Sequence, residues 1–245
     1  MTEALLYERL PFLQSLREPR RRQILDYFKT APDSLADHFK AEFLPANTVF
    51  IREDSPAKYI YLIADGIVKA TDYRVLGIEF DFILFDKVYA MGGMEVLMSM
   101  PNYRTTLTTS TECIMIRLPR APYEKWLLND LVALKSESHL ACEYLLEQAR
   151  LSRAYLFLEG ADRLAMLLVC KYEKYAKDGF YESRGKRQNL ANEVGMSMKS
   201  ITRSLKRLID EGLVTPHKYS ISVNHDQYLQ LKARIDQIFD SNNPL

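Results

Sequence analysis

The sequence predicts an α+β chain in three successive parts: a roll of short strands, one long helix, and a small C-terminal unit built on a winged helix-turn-helix. Three observations carry this. Between Ala41 and Pro119, runs of β-branched and aromatic residues alternate with turn residues, the texture of an all-β barrel, roll or sandwich. From Pro122 the apolar period becomes helical, and it is longest between Leu131 and Leu158. Between Gln188 and Val214 two amphipathic segments meet at a tight break, as in a helix-turn-helix. The expected parts are 1–129, 130–158 and 159–245.

Residues 1–40 read as helical and amphipathic. Leu5, Leu6, Leu10, Leu13 and Leu16 recur at helical spacing, interrupted by Pro11. The basic run Arg17, Arg20, Arg21, Arg22 reads as a solvated face beside Ile24, Leu25, Tyr27 and Phe28. Strands are expected at 48–51, 59–63, 67–70, 78–85, 104–109 and 113–118. Asp65-Gly66, between two apolar runs, is the sharpest hairpin signal.

Pro122 suits the first turn of a short helix, 123–128. Asn129-Asp130 then starts the long one. Its stripe Leu134, Ala141, Leu145, Gln148, Ser152, Tyr155 lies close to a heptad seam, with Leu131, Leu140, Tyr144 and Leu151 beside it. Such a face suits a two-helix dimer contact. A break near Glu159-Gly160 opens another helix with Arg163, Leu164, Met166, Leu167, Leu168 and Val169, closed by Asp178-Gly179.

In the helix-turn-helix, Leu190, Ala191 and Val194 share one face. Gly195 supplies the left-handed residue that ends the first helix. Ser197 is the expected N-cap of the second, whose inner face is Ile201, Leu205, Leu208 and Ile209. Gly212 ends it. Leu213-Val214, a polar turn at 216–218, and Tyr219, Ile221, Val223 read as the wing, and 226–239 as a last amphipathic helix.

The outer face of the second helix carries Met198, Lys199, Thr202, Arg203 and Lys206. From Arg184 to Arg207 the basic residues are Arg184, Lys186, Arg187, Lys199, Arg203, Lys206 and Arg207, and the only acid is Glu193. Neutralising phosphates needs such a one-signed face, and reading bases needs long donors near the helix start. The whole 245-residue chain has a net charge of only +1, so this basic stretch is a local concentration. The apolar fraction of 47% is that of a chain with a real core. Cys113, Cys142 and Cys170 are scattered, which fits reduced thiols in the cytosol. The N-terminus lacks the pattern of a signal peptide, and no apolar run is long enough to span a bilayer.

In this order the roll, long helix and winged helix resemble the CRP/FNR superfamily of bacterial transcription regulators. Phe43 to Phe50 and Tyr61 to Lys69 resemble the family's first roll strands, with Gly66 at its turn glycine. Glu159 and Arg163 match its interdomain hinge. Gln188, Val194, Gly195, Ser197, Arg203 and Leu205 match its helix-turn-helix. The resemblance implies a cyclic-nucleotide-binding-type β-roll as sensor, a dimerisation helix, a homodimer on a double-stranded DNA operator, contact with RNA polymerase, a cytoplasmic location and no membrane. It implies DNA contacts from Gln188, Ser197, Met198, Lys199, Ser200, Thr202, Arg203 and Lys206, with Met198, Lys199 and Arg203 where the family meets bases. The familiar activator pattern has Arg-Glu at the first two positions, so this operator should differ.

For the effector the resemblance points to Gly92, Gly93, Glu95, Arg104 and Thr105, with Gln148 on the long helix. Nucleotide-binding members carry Gly-Glu-x-x-[Leu/Phe] and then Arg-[Ser/Thr]-[Ala/Thr]. Here 91–97 reads Met-Gly-Gly-Met-Glu-Val-Leu, followed by Arg104-Thr105-Thr106. Arg104 and Thr105 fit. Gly93 stands where the ribose-binding Glu belongs, and Glu95 is two positions late. The family's Thr-Ser pair falls near Gln148-Ala149. A phosphate-binding half survives and a nucleoside-reading half does not, which argues against cyclic AMP. An iron–sulfur cluster needs four Cys ligands and the chain has three, all scattered, and no haem-attachment motif marks an axial ligand. No cofactor or metal is expected, and an apolar or aromatic effector, or none, stays open.

The resulting expectation is a dimeric DNA-binding regulator with a degenerate nucleotide cassette. The alternatives are a true cyclic AMP-dependent regulator and a cyclic-nucleotide-binding regulatory protein acting through protein contacts. A roll-type metalloenzyme lacks its His/Glu cluster, and no arrangement of catalytic residues rises above chance, so an enzyme is not expected.

Overall fold

The computed structural model describes residues 1–75, 78–184, 187–218 and 220–240. Side chains are described within these except at 72–75, 78–83, 147, 150–157, 184, 239 and 240. The chain forms two compact units, Met1–Thr71 with Ile83–Glu147, and Asp72–Phe82 with Gln148–Leu245.

The first unit opens with helix α1 (Glu3–Arg9), a 3-10 turn (Pro11–Ser15), helix α2 (Glu18–Tyr27) and a second 3-10 turn (Asp33–His38). Thr2 caps α1, its hydroxyl accepting from the Leu5 N–H at 3.4 Å. Pro11 lacks the N–H that would continue the helix, so the chain tightens into the first 3-10 turn. Leu6, Leu10, Leu13, Ile24 and Phe28 are all buried, as the spacing predicts. Arg20 departs from the solvated face: it is half-buried and donates to the Gly66 carbonyl at 3.2 Å.

Eight strands follow along the chain in two sheets. Strands β1 (Lys40–Leu44), β3 (Tyr59–Asp65), β6 (Ala90–Met91) and β8 (Cys113–Pro119) lie in the order β1-β8-β3-β6. Strands β2 (Val49–Ile51), β4 (Val68–Val75), β5 (Ile78–Phe85) and β7 (Thr106–Thr109) lie in the order β2-β7-β4-β5. The hairpin expected at Asp65-Gly66 is therefore absent, because β3 and β4 belong to different sheets. The turn instead carries the chain from one sheet to the other. It runs beside the crossing from β7 to β8: Ser110 N–H donates to the Ile67 carbonyl at 2.7 Å, and Ile67 N–H to Thr111 Oγ1 at 3.0 Å. Gly66 has φ +94°, and a Cβ there would overlap the Glu112 carbonyl oxygen and Cys113. The first sheet buries Ile60, Leu62, Ile116 and Leu118 against the N-terminal helices and helix α4 (Arg120–Asn129), in one cluster with Tyr123 and Trp126. A short helix, α3 (Gly93–Leu97), sits between β6 and β7.

Helix α5 (Leu131–Phe157) is shared by both units. Asp130 starts it, Oδ1 accepting from Val132 N–H at 2.9 Å and Ala133 N–H at 3.2 Å. Leu131, Val132, Leu145 and Leu146 are 53–83% exposed. The expected stripe positions Leu151, Ser152 and Tyr155 lie outside the described side chains.

The second unit holds α6 (Gly160–Tyr175), β9 (Phe180–Arg184), α7 (Arg187–Val194), α8 (Met198–Asp210), β10 (Thr215–Pro216), β11 (Ser220–Asn224) and α9 (His225–Asp240). Its core joins Leu164, Leu168, Leu190, Ile201, Leu205 and Val223. The wing has three strands, in the order β10-β11-β9. β9 adds a strand to the two expected in the wing, and Tyr219 lies outside the described residues.

Gly66→Ala should destabilise the first unit by about 1–3 kcal/mol from backbone conformation alone. Urea unfolding followed by the single tryptophan, Trp126, measures it. An unchanged midpoint would show that the crossing relaxes freely.

Candidate functional site

Two places on the chain bring functional groups together, one in each unit. In the second unit the turn between α7 and α8 is short because Gly195 adopts φ +68°. Ser197 then caps α8, its hydroxyl accepting from the Ser200 N–H at 3.2 Å. Ile201, Leu205 and Leu208 are buried. That inward face turns Met198, Lys199, Thr202, Arg203 and Lys206 outward, and all five are exposed. Thr202 donates its hydroxyl to the Met198 carbonyl at 2.8 Å, so its side chain is tied to its own helix. Ser200 accepts from the Ser197 hydroxyl at 3.0 Å. Gln188, at the start of α7, donates to Asn192 Oδ1 at 2.7 Å. Each of these residues stands on the turn or on the outer side of the two helices.

The charges are sorted. Glu193, the single acid of the basic span, points away and pairs with Lys171 on α6 at 2.6 Å. Burial works against charge on Lys171, but the Glu193 carboxylate together with Tyr181 and Tyr175 outweighs it and the lysine's pKa is raised. Arg207 turns toward Glu211 at 2.9 Å, and Glu211 also accepts from Arg234 at 2.6 Å. Lys199, Arg203 and Lys206 make up the exposed cationic face of α8. Lys186 and the Arg184 side chain lie outside the described residues. Glu159 and Arg163 flank the start of α6, where Arg163 Nε donates to the Leu158 carbonyl at 2.7 Å.

The first unit holds a cavity of about 80 Å³ between the second sheet, α3 and the first half of α5. Of the expected effector residues, Gly92, Glu95 and Thr105 line it. Arg104 does not. Its side chain is 54% exposed and reaches toward Asp54 at 3.9 Å, while its backbone N–H donates to Glu95 Oε1 at 3.0 Å. Gln148 falls in the other unit. Gly93 does not line the cavity either, and a Cβ on it would overlap Glu137 Oε1.

Glu137 is the residue the sequence reading missed. It projects from α5 into the cavity wall and is 5% exposed. Tyr27 donates its hydroxyl to Glu137 Oε2 at 2.8 Å, and the Tyr27 and Tyr123 hydroxyls are 2.7 Å apart. Burial pushes the Glu137 carboxyl up to about 7, against the opposing hydrogen bonds from Tyr27 and Tyr123. Burial likewise pushes Tyr103, on the same cavity, up to about 12. The signal was present: Glu137 stands four residues after Ala133 and three before Leu140, on the inward side of α5.

The chain has a roll of two four-stranded sheets, a long helix and a three-stranded winged helix, an order of elements similar in fold to solved structures of CRP/FNR-family regulators. Residues 41–130 match the family described as cyclic nucleotide-binding domain. The chain is similar in fold to the c-di-GMP responsive global regulator CLP of Xanthomonas campestris, at 20% identity, TM-score 0.68, covering 85% of this chain and 99% of that one. It is similar to a crp/fnr-family regulator from Eubacterium rectale at 14% identity, TM-score 0.69, covering 92% and 99%. FixK2 of Bradyrhizobium japonicum matches at 17% identity, TM-score 0.65, covering 79% and 96%. No curated protein matches the chain in sequence. Among the described residues no helix is long and apolar enough to cross a membrane.

The raised Glu137 pKa sets a pH dependence. A carboxyl that titrates near 4.5 unfolded and near 7 folded stabilises the fold fully below the lower value. That stabilisation is lost as pH rises through the upper one, by about 3 kcal/mol in total. Glu137→Gln should flatten this slope, so the variant gains on the native chain between those two values. Trp126-monitored unfolding across that range tests it, and parallel pH profiles would refute it.

Proposed function

We propose that this chain is a homodimeric, sequence-specific regulator of transcription. It binds double-stranded DNA through α8, and its roll senses a small molecule other than cyclic AMP. The observation that carries the DNA-binding half is the sorted charge of α8. Lys199, Arg203 and Lys206 are exposed on one side, while the nearby acids Glu193 and Glu211 are held by Lys171, Arg207 and Arg234. A capped helix with long donors in its first turns matches the need of a major-groove reader. Lys206, further along, suits a phosphate.

The dimer rests on α5. Leu131, Val132, Leu145 and Leu146 are exposed on one helix, and an apolar surface of that kind calls for a partner. A second copy supplies one, and a helix-turn-helix on two half-sites needs it. A cyclic AMP-dependent regulator is the second reading. Against it stand the outward position of Arg104 and the lack of any Lys, Arg or His among the described residues lining the cavity. A cyclic phosphate there would lack a counter-charge. No catalytic role is proposed.

Arg203→Ala should cost about 1–3 kcal/mol at the operator and relax specificity at one base pair. Lys206→Ala should weaken binding to all sequences alike and lower the salt slope by about one. Gel-shift titrations over a salt series distinguish the two. Unaltered affinity in both variants, or binding indifferent to salt, would remove α8 from the interface.

Leu145→Glu should convert the native dimer to monomer in sedimentation equilibrium, because an unpaired carboxylate would be buried at the seam. A monomeric native chain would dismiss the dimer outright.

A further inference from the structure

One ionisable group of the first unit stands where four helices meet. Glu137 projects inward from α5 and is 5% exposed. On α2, Tyr27 donates its hydroxyl to Glu137 Oε2 at 2.8 Å. On α4, the Tyr123 hydroxyl lies 2.7 Å from that of Tyr27 and also bonds the carboxyl. On α3, Gly93 leaves the space that Glu137 Oε1 fills, since a Cβ there would overlap that oxygen. Among the described residues no Lys, Arg or His pairs with this carboxyl. A buried carboxyl that has donors but no counter-charge favours its neutral form.

The same helix carries an exposed apolar face. At roughly 100° per residue, Leu146 stands opposite Glu137, Leu131 and Val132 lie within about 60° of Leu146, and Leu145 lies on the flank. All four are more than half exposed. On the inward side Ala133 is buried and Leu134 packs on the core. Bringing Glu137 to water means turning or lifting α5 away from α2 and α4. A helix moves as a unit, so that movement displaces the leucine face as well.

We propose that the proton on Glu137 controls the pairing of two copies of this chain through α5. With the carboxyl neutral, α5 is seated and presents its leucines. With the carboxyl ionised and its proton lost to solvent, α5 is released and the pairing weakens. This control rests on the dimer proposed above.

The direction follows from linkage. In the seated arrangement burial raises the carboxyl from 4.5 to about 7, against the hydrogen bonds from Tyr27 and Tyr123. Released into water, it returns toward the lower value. The seated arrangement is therefore fully favoured below the lower value. That preference falls as pH rises, by about tenfold per unit, and levels off above the upper value. The surrounding groups do not offset this. Burial pushes Tyr27 and Tyr123 above the ordinary tyrosine range. Tyr89, Tyr103 and Tyr144 line the cavity that Glu137 borders, and burial raises Tyr103 and Tyr144 too. Glu95, the acid of α3, gives Oε1 to the Arg104 backbone N–H. His139 and Glu143 pair with each other at 3.4 Å on the exposed side of α5.

The test is sedimentation equilibrium of the full chain, without DNA, over a series from about pH 6 to about pH 9. The native dimer should weaken by about tenfold or more between about pH 6 and about pH 8 and then change little. Glu137→Gln keeps the shape of the carboxyl without its charge and should give a flat profile. It retains His139 and Glu143, so any slope that survives there belongs to other groups. Tyr27→Phe removes one donor to the carboxylate. Its profile should level off at a higher pH than the native one, a shift that a loss of packing alone would not produce. Should Glu137→Gln fail to fold, Tyr27→Phe carries the test. The proposal is overturned by a dimer of equal affinity across the series, or by one that tightens as pH rises. It is equally overturned by the native slope persisting in Glu137→Gln, or by an unmoved profile in Tyr27→Phe. A dimer at every pH with no slope would sink this inference alone, whereas a monomer at every pH would sink the dimer reading with it.

Discussion

The hydrogen bond from Tyr27 to the Glu137 carboxyl is the contact on which the first unit depends. It joins a helix from the N-terminal segment to the helix that leaves the roll, and Tyr123 on α4 completes the chain of hydroxyls. Trp126, Phe28 and Tyr27 pack around it at ring separations of 5.2–6.1 Å. A carboxyl so enclosed has one of two fates: it keeps its proton, or it finds a counter-charge. Both options restrict what can stand beside it. Gly93 follows from this, since any side chain there would occupy the space of the carboxyl.

In the second unit the same physics sorts surface charge. A DNA-binding helix, the role proposed for α8, needs cations on one side and a dry face on the other. Acids nearby would screen the cations. Here Glu193 is drawn inward by Lys171, and Glu211 is held by Arg207 and Arg234. The exposed Arg207–Glu211 pair contributes little to stability by itself. The consequence of these pairs is positional, because they keep negative charge off the face that carries Lys199, Arg203 and Lys206.

Features governed by a few neighbouring residues were legible in the sequence. Gly195 and Ser197 define a left-handed stop and a cap within three residues, and both conformations depend on local hydrogen bonds. The inward face of α8 follows from period alone. Asp65-Gly66 shows where local reading ends. An Asp-Gly turn specifies that the chain reverses, but the partner of each flanking strand is decided by distant residues, here β8 for β3 and β7 for β4. Strand β6 has two residues, too few for a period. Arg104 matched by position, yet which way its side chain points depends on Asp54 and on solvent. Glu137 escaped notice because an inward stripe is sought among apolar residues, and an acid at helical spacing reads as surface. Its partners, Tyr27 and Tyr123, lie 110 and 14 positions away.

A sensor, the role proposed for the roll, must also give its ligand something to change. A ligand shifts an equilibrium only by its difference in affinity for two states. The Glu137 carboxyl offers such a difference in chemical form. Protonated, it is a neutral group held by tyrosine hydroxyls. Ionised, it is a buried charge that makes stronger demands on the hydroxyls of Tyr27 and Tyr123. Glu137 stands on α5 eight residues before Leu145, about two helical turns, so the acid in the cavity and the exposed leucines belong to one rigid element. A change at the carboxyl therefore has a short mechanical path to the surface proposed for the second copy. The coupling needs no contact between the ligand and that surface. It needs only that α5 have two arrangements, one favoured by each form of the carboxyl.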